Sequence, residues 1–306
     1  MRLEDQLLEA LKSNNSVFRF IPDNIGDIAY CDSTNPKDCP DTKEQTRKKA
    51  ALSVLIPCAI AAFCWFVFDE SPIFDSIVSV VMFIIMVRYL KKCYTFKGTD
   101  YFVGTEGAAV IEFDNTRDNI TNKTILKFED FDDLVTGETR RYRNGSYEGT
   151  EYHFIIYGHK VNNERKVISA FNGTYNQEKP GDYYTDQQYR FWKTVEMKWS
   201  RYKLELLKVA LDNGESIGFN LYTDKNFYNN YLVFQGSQLT IGGTLYDKNT
   251  VKKIGFSNGN LIVEHANHSS KFFGLIEKGN KDTIPLHMIG NRELFFTFFH
   301  YFTSTL

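Results

Sequence analysis

Apolar and polar residues follow three different rhythms along this chain, and each rhythm predicts a different kind of element. At the start, Leu3, Leu7, Leu8 and Leu11 share one helical face, which predicts a short amphipathic helix packed on a neighbouring domain. Residues 31–46 are rich in Asp, Asn, Pro and Lys and read as a loop or linker. The second rhythm is a continuous one. Residues 50–68 carry no charge, and at roughly 1.5 Å per residue they reach about 28 Å, close to the hydrocarbon core of a bilayer. Pro57 is tolerated in a membrane helix. A second apolar run covers 73–90. It spans if Asp75 lies in the outer headgroups and Arg88 snorkels to the other interface.

Charges at the flanks orient this pair. Arg47, Lys48 and Lys49 precede the first run, Arg88, Lys91 and Lys92 close the second, and the turn between holds Asp69, Glu70 and Asp75. The positive-inside rule then gives a transmembrane helical hairpin over 46–92, with N- and C-termini cytoplasmic. The expected location is the cell inner membrane, as an integral, multi-pass protein with two spans.

From residue 94 onward the third rhythm sets in: short alternating segments broken by Gly and Asn, as β structure requires. Strands are expected near 101–103, 108–113, 124–128, 134–143, 151–157 and 166–171. A helix follows, with Thr185 and Gln188 in a capping-box arrangement and Asn213-Gly214 suited to a left-handed C-cap. Its apolar face is Phe191, Val195, Trp199, Tyr202, Leu206 and Val209. The plan then repeats, with strands near 232–235, 238–241, 243–246, 251–256, 260–265, 271–276 and 283–287. A terminal helix from about Asn291 presents Leu294, Phe295, Phe298, Phe299 and Phe302.

Two successive units, each of several strands closed by one helix, have the layout of the pleckstrin-homology fold. Residues 137–157, GETRRYRNGSYEGTEYHFIIY, resemble a bacterial, membrane-associated family of unknown function with tandem pleckstrin-homology-like domains. Arg141, Tyr142, Asn144, Gly145, Tyr147, Gly149, Thr150 and Tyr152 carry the likeness. The stretch 231–256, and Asn258-Gly259-Asn260-Leu261-Ile262-Val263 after it, look similar as well, with Tyr246 where the family usually has Trp. The resemblance covers roughly 100–306 and implies a fold and a membrane setting without an established activity. The expected fold class is thus a membrane α-hairpin plus α+β: two tandem pleckstrin-homology-like units, each an antiparallel sheet or barrel closed by a C-terminal helix. The expected divisions are 1–45, 46–92, 93–212 and 213–306.

Composition excludes more than it selects. Lys plus Arg total 36 and Asp plus Glu 38, so no global field favours nucleic acid. Neither 95–214 nor 215–306 has the basic excess of a lipid-headgroup reader, which leaves lipid recognition open and less favoured. Five cysteines at irregular spacing do not make a disulfide scaffold, and a reducing compartment suits them better. No phosphate loop, nucleophile elbow, Cys-His pairing or zinc-hydrolase helix appears. The acidic run Asp130, Asp132, Asp133 reads as a solvated loop, and His265, His268 and His287 as turn histidines rather than metal ligands. No catalytic residue, metal site or cofactor is expected.

One hairpin offers candidate contact residues. Asn144-Gly145 predicts a type I′ turn, placing Tyr142 opposite Tyr147 and Arg141 opposite Glu148. Register control explains this motif most simply. A binding role for Arg140, Arg141, Arg143, Tyr142 and Tyr147 is the alternative, since clustered Arg suits phosphate or lipid headgroups. The function expected is a membrane-anchored, cytoplasmic-face binding or scaffold protein that recruits a protein or peptide partner. An accessory subunit of a membrane transporter or envelope-stress system is the second reading.

Overall fold

The structure, a computed structural model, describes residues 3–13, 18–34, 43–67, 72–94, 97–159, 166–176, 187–223, 227–271, 276–279 and 281–305. The chain divides into two units, and each is taken by itself. The first comprises Met1–Asp23, Ala29–Phe102 and Ala109–Ile125. In it α1 (Leu3–Lys12) packs on β1 (Tyr30–Ser33) and buries Leu7. Two long helices, α2 (Lys43–Val67) and α3 (Pro72–Tyr94), pack against each other. A four-stranded sheet has the order β1, β2 (Lys97–Val103), β3 (Gly107–Asp114), β4 (Ile120–Lys127). Its core holds Phe18, Tyr101, Phe102, Ile111 and Phe113, with Phe18 edge-on to Phe102 at 4.8 Å. Gly98 makes room for this core: a Cβ there would stand 2.1 Å from the Phe113 ring.

The membrane hairpin is corrected here. Among the described residues no helix is long and apolar enough to cross a membrane. Lys48 and Lys49 lie within α2, and Arg88 within α3. The integral two-span membrane partnership and the inner-membrane, multi-pass location with cytoplasmic termini fall with it. What remains is a helical pair with Leu52, Leu55, Ile56, Val80, Phe83 and Ile84 exposed.

The second unit comprises Asn24–Ile28, Val103–Ala108 and Leu126–Leu306. After a 3-10 turn at Phe128–Asp130, the strands β5 (Phe131–Arg143), β6 (Ser146–Gly158) and β7 (Val167–Tyr175) form an antiparallel meander. α4 (Gln187–Asp212) follows and buries Phe191, Trp192, Val195 and Trp199. Trp192 stacks on Phe171 at 5.7 Å and Trp199 meets Phe131 at 6.1 Å. The helix ends in a Schellman motif: Glu215 N–H donates to Ala210 carbonyl, Gly214 N–H to Leu211 carbonyl, and Gly214 takes φ +79°. Thr185, the expected cap, lies outside the described residues.

Leu206 and Val209 do not share the buried face; they are 51% and 61% exposed. The buried stripe follows i, i+4 rows through Trp192, Glu196, Ser200 and Leu204. A seven-residue spacing drifts by about 20° per heptad against a straight helix and leaves that stripe.

Beyond α4, a sheet of order β11, β10, β9, β8 uses β8 (Ile217–Tyr222), β9 (Phe227–Gln235), β10 (Gln238–Ile241) and β11 (Thr244–Tyr246). A second sheet joins β12 (Val251–Ser257), β13 (Asn260–His265) and β16 (Lys281–Pro285), and β14 (Ser269–Lys271) pairs β15 (Ile276–Lys278). α5 (Arg292–Thr305) buries Leu294, Phe295, Phe298, Phe299 and Phe302. Its phenylalanines meet Phe219 of β8, Phe234 of β9 and Phe256 of β12 at 4.8–6.4 Å.

The expected pair of closed pleckstrin-homology-like units is corrected as well. The protein is mostly open antiparallel sheet with a few helices, and no described sheet closes into a barrel. One break has a clear cause. Between β11 and β12 the Asp247 carboxylate accepts from Asn249 N–H at 2.8 Å, Thr250 N–H at 2.9 Å and Thr250 Oγ1 at 3.0 Å. That tight turn takes the chain out of one ladder before the next begins. Those backbone and hydroxyl donors, the Asn249 amide first, hold the Asp247 carboxyl below its usual range.

Candidate functional site

A β-bulge sets the deepest polar group of the second unit. Phe131 pairs with Gly158 and Asp133 with Tyr157, so Asp132 is the extra residue and Asp133 turns fully inward. The Asp133 carboxylate accepts from Asn220 Nδ2 at 2.7 Å and closely from the Tyr222 hydroxyl. Leu134 N–H donates to Asn291 Oδ1 at 2.6 Å, and Asn291 N–H returns a bond to Leu134 carbonyl at 2.9 Å. Gly290 leaves space for this cluster, since a Cβ there would sit 2.9 Å from Asp133 Oδ1. The acidic run therefore is no solvated loop at Asp133. It pins β5 to β8 and to the start of α5.

Above this cluster opens a cleft of about 390 Å³. α4 contributes Lys203 and Leu207, β8 contributes Ile217 to Asn220, β9 contributes Asn229 and Asn230, and Asp132, Ser216, Asn291 and Leu294 complete the wall. Its lining mixes apolar side chains with the carboxamides of Asn220, Asn229, Asn230 and Asn291. Asn220 is committed: its Nδ2 serves Asp133, and its Oδ1 accepts from Asn230 N–H at 3.0 Å. Gly218 keeps the cleft open, because a Cβ there would lie 2.1 Å from Asn230 Oδ1. The Asn230 carboxamide thus rests directly on the β8 backbone.

The residues expected to make contacts lie elsewhere, on the β5–β6 arm. Asn144 and Gly145 take φ +50° and +81°, the signature of a type I′ turn. Tyr142 pairs with Tyr147, edge to face at 5.9 Å. A second bulge between Arg141 and Tyr142 shifts the rest of the register by one. Arg141 therefore stands opposite Gly149 and pairs with Glu151 at 2.6 Å, while Arg143 pairs with Glu148 at 3.7 Å. Arg140, Arg141, Arg143 and Tyr142 are exposed and Tyr147 is half-buried, so all five share one arm, and none of them lines the cleft beside α4.

Other buried polar groups are structural. Arg117 grips Asp100 through Nε at 2.8 Å and Nη2 at 3.0 Å, also donates to Ser33 Oγ, and lies over the Phe18 and Phe113 rings. Beside it, burial pushes the Cys31 thiol up to about 12, helped by Asp32 and Asp100. Under α4, Glu196 takes Lys193 Nζ at 2.6 Å and Thr136 Oγ1 at 3.1 Å. Burial, then the bond to Glu138, raises the Tyr189 hydroxyl. His268 is buried 3.7 Å from Glu264, unlike the exposed turn residue its spacing suggests. Among the described residues no group of three or more His, Cys, Asp or Glu is placed to hold a metal ion.

No family model matches the chain, and no curated protein is similar to it.

Proposed function

We propose that this is a non-catalytic binding or scaffold protein that takes a protein or peptide partner, and that the α4–β8–β9 cleft receives it. The observation that carries this reading is the lining. The wall carries the carboxamides of Asn229 and Asn230 beside the apolar Leu207, Ile217, Phe219 and Leu294, while Asn220 and Asn291 are engaged within the fold. A carboxamide offers a donor and an acceptor, as each peptide unit does, so this wall suits an extended main chain. The volume of about 390 Å³ falls in the roughly 300–1,000 Å³ range of ligand clefts. The β5–β6 arm supports a protein over a lipid headgroup, since Arg141 and Arg143 already hold Glu151 and Glu148.

The test is selection of a random seven-residue phage-displayed peptide library on the full chain. Selected peptides should bind with an affinity that Gly218→Val lowers at least about tenfold in a protein that still melts cooperatively. Failure to enrich any sequence, or binding indifferent to Gly218→Val, would overturn the assignment.

A further inference from the structure

We infer that Lys203 makes the cleft selective for acidic peptide segments, an inference that rests on the cleft being the peptide site. The lysines of α4 differ in their surroundings. Lys193 is held by Glu196 at 2.6 Å and by Glu293 at 3.9 Å. Lys208 is held by Glu205 at 3.0 Å and lies 5.5 Å over the Tyr301 ring. Lys198 and Lys203 lie between them on the same helix, both half-buried and with no carboxylate partner among the described residues, and of the two it is Lys203 that lines the cleft.

The geometry of the cleft leaves that ammonium for a ligand. Asp132 is the one carboxylate in the wall; its Oδ1 lies 4.0 Å from His159 Nδ1, and it makes no ion pair with Lys203. Apart from Asp132, the neighbouring wall groups are carboxamides, a hydroxyl and apolar side chains, none of which carries a charge. A partly desolvated ammonium gains most from an ionised acceptor, because charge-assisted hydrogen bonds are about twice as strong as neutral ones. An Asp or Glu side chain on a segment already held by the wall carboxamides supplies one. Discrimination then follows from charge, while the Asn residues hold a main chain that every peptide has.

The experiment repeats the library selection on the full chain and on its Lys203→Glu variant, with thermal melting to establish that both are folded. Peptides selected by the native chain should be several-fold enriched in Asp and Glu over the input library. Replacing the acidic position by Gln or Asn should weaken binding about tenfold, and Lys203→Glu should shift enrichment to Lys and Arg. Selected peptides of input-like acidity whose binding is still lost in Gly218→Val would overturn the role of Lys203 and leave the cleft reading standing. A selection yielding no peptide sensitive to Gly218→Val would overturn both.

Discussion

Leu134 and Asn291 hold each other by two hydrogen bonds across 157 residues of chain: Leu134 N–H to Asn291 Oδ1 at 2.6 Å, and Asn291 N–H to Leu134 carbonyl at 2.9 Å. Asn291 does this at φ +55°, a conformation that Asn tolerates better than other side chains. The Asn291→Ala variant leaves the Leu134 amide with only the 3.2 Å contact to its neighbour Asp133 Oδ1. A loss of about 1–3 kcal/mol is expected, read as a lower midpoint in urea denaturation. An unchanged midpoint would mean that the joint contributes nothing to stability.

The terminal helix should be equally sensitive. Phe298 is fully buried and meets Phe219 at 5.7 Å and Phe234 at 5.2 Å. Phe298→Ala should cost about 3–5 kcal/mol, since the sheet cannot close over the space a Phe leaves. Phe296, which lies beside exposed Phe256 at 5.1 Å, should lose clearly less on the same change. Equal losses would contradict the burial pattern.

In the first unit, Asp100→Ala strands the Arg117 guanidinium, which is 2% exposed. Breaking a buried pair from one side costs about 3–5 kcal/mol, whereas replacing both partners by apolar residues is far milder. The double variant Asp100→Leu, Arg117→Met should therefore melt well above Asp100→Ala. If the two melt together, the ion pair is not what the site needs.

Two glycines separate backbone strain from crowding. Neither Gly145 nor Gly255 has any atom within 4 Å of an added Cβ, and only Gly145 has positive φ, +81°. Gly145→Val should destabilise by about 1 kcal/mol or more through φ alone. Gly255→Val sits in β12 and should be neutral or mildly stabilising, as β-branched residues suit strands. Matching losses in thermal melts would exclude a type I′ requirement at the arm.

Cys31 links stability to alkaline pH. Its folded thiol is raised to about 12, so it keeps a proton that an unfolded chain gives up near pH 8.5. The unfolded state then binds fewer protons, and stability must fall as pH rises from about 8.5 toward 12. Cys31→Ala should flatten that part of the profile in urea titrations at pH 8 and 10. Iodoacetamide at pH 8 should modify exposed Cys58 and spare buried Cys31 until denaturant is added, as peptide mass spectrometry will read.

Local chemistry was legible along the chain, and long-range chemistry was not. Asn144-Gly145 announced its turn, Asn213-Gly214 its helix end, and the phenylalanines of 294–302 their buried face, because each signal lies within one turn or one period. The bulges at Asp132 and before Tyr142 left no mark in composition, so Arg141 was placed opposite Glu148, one residue off. Strand β8 was missed because Gly218 and Asn220 weaken its pattern, and the same two residues shape the cleft. Asp133 looked like part of a solvated acidic run since its partners, Asn220 and Tyr222, are 87 and 89 residues away. The two apolar runs do form helices, but hydropathy alone carried the membrane reading further than the described structure does.

The separations at the Asp133 cluster also bear on the order of assembly. The β5–β6–β7 meander and α4 join neighbours in sequence and can form early, whereas bonds closing loops of 87, 89 and 157 residues must wait. The seam linking β5 to β8 and α5 is therefore expected to close after the rate-limiting step. Substitutions at Asp133, Asn220 or Asn291 should speed unfolding and leave the folding rate almost untouched. On that expectation the lifetime of the folded molecule depends on the seam and the speed of its formation on the meander.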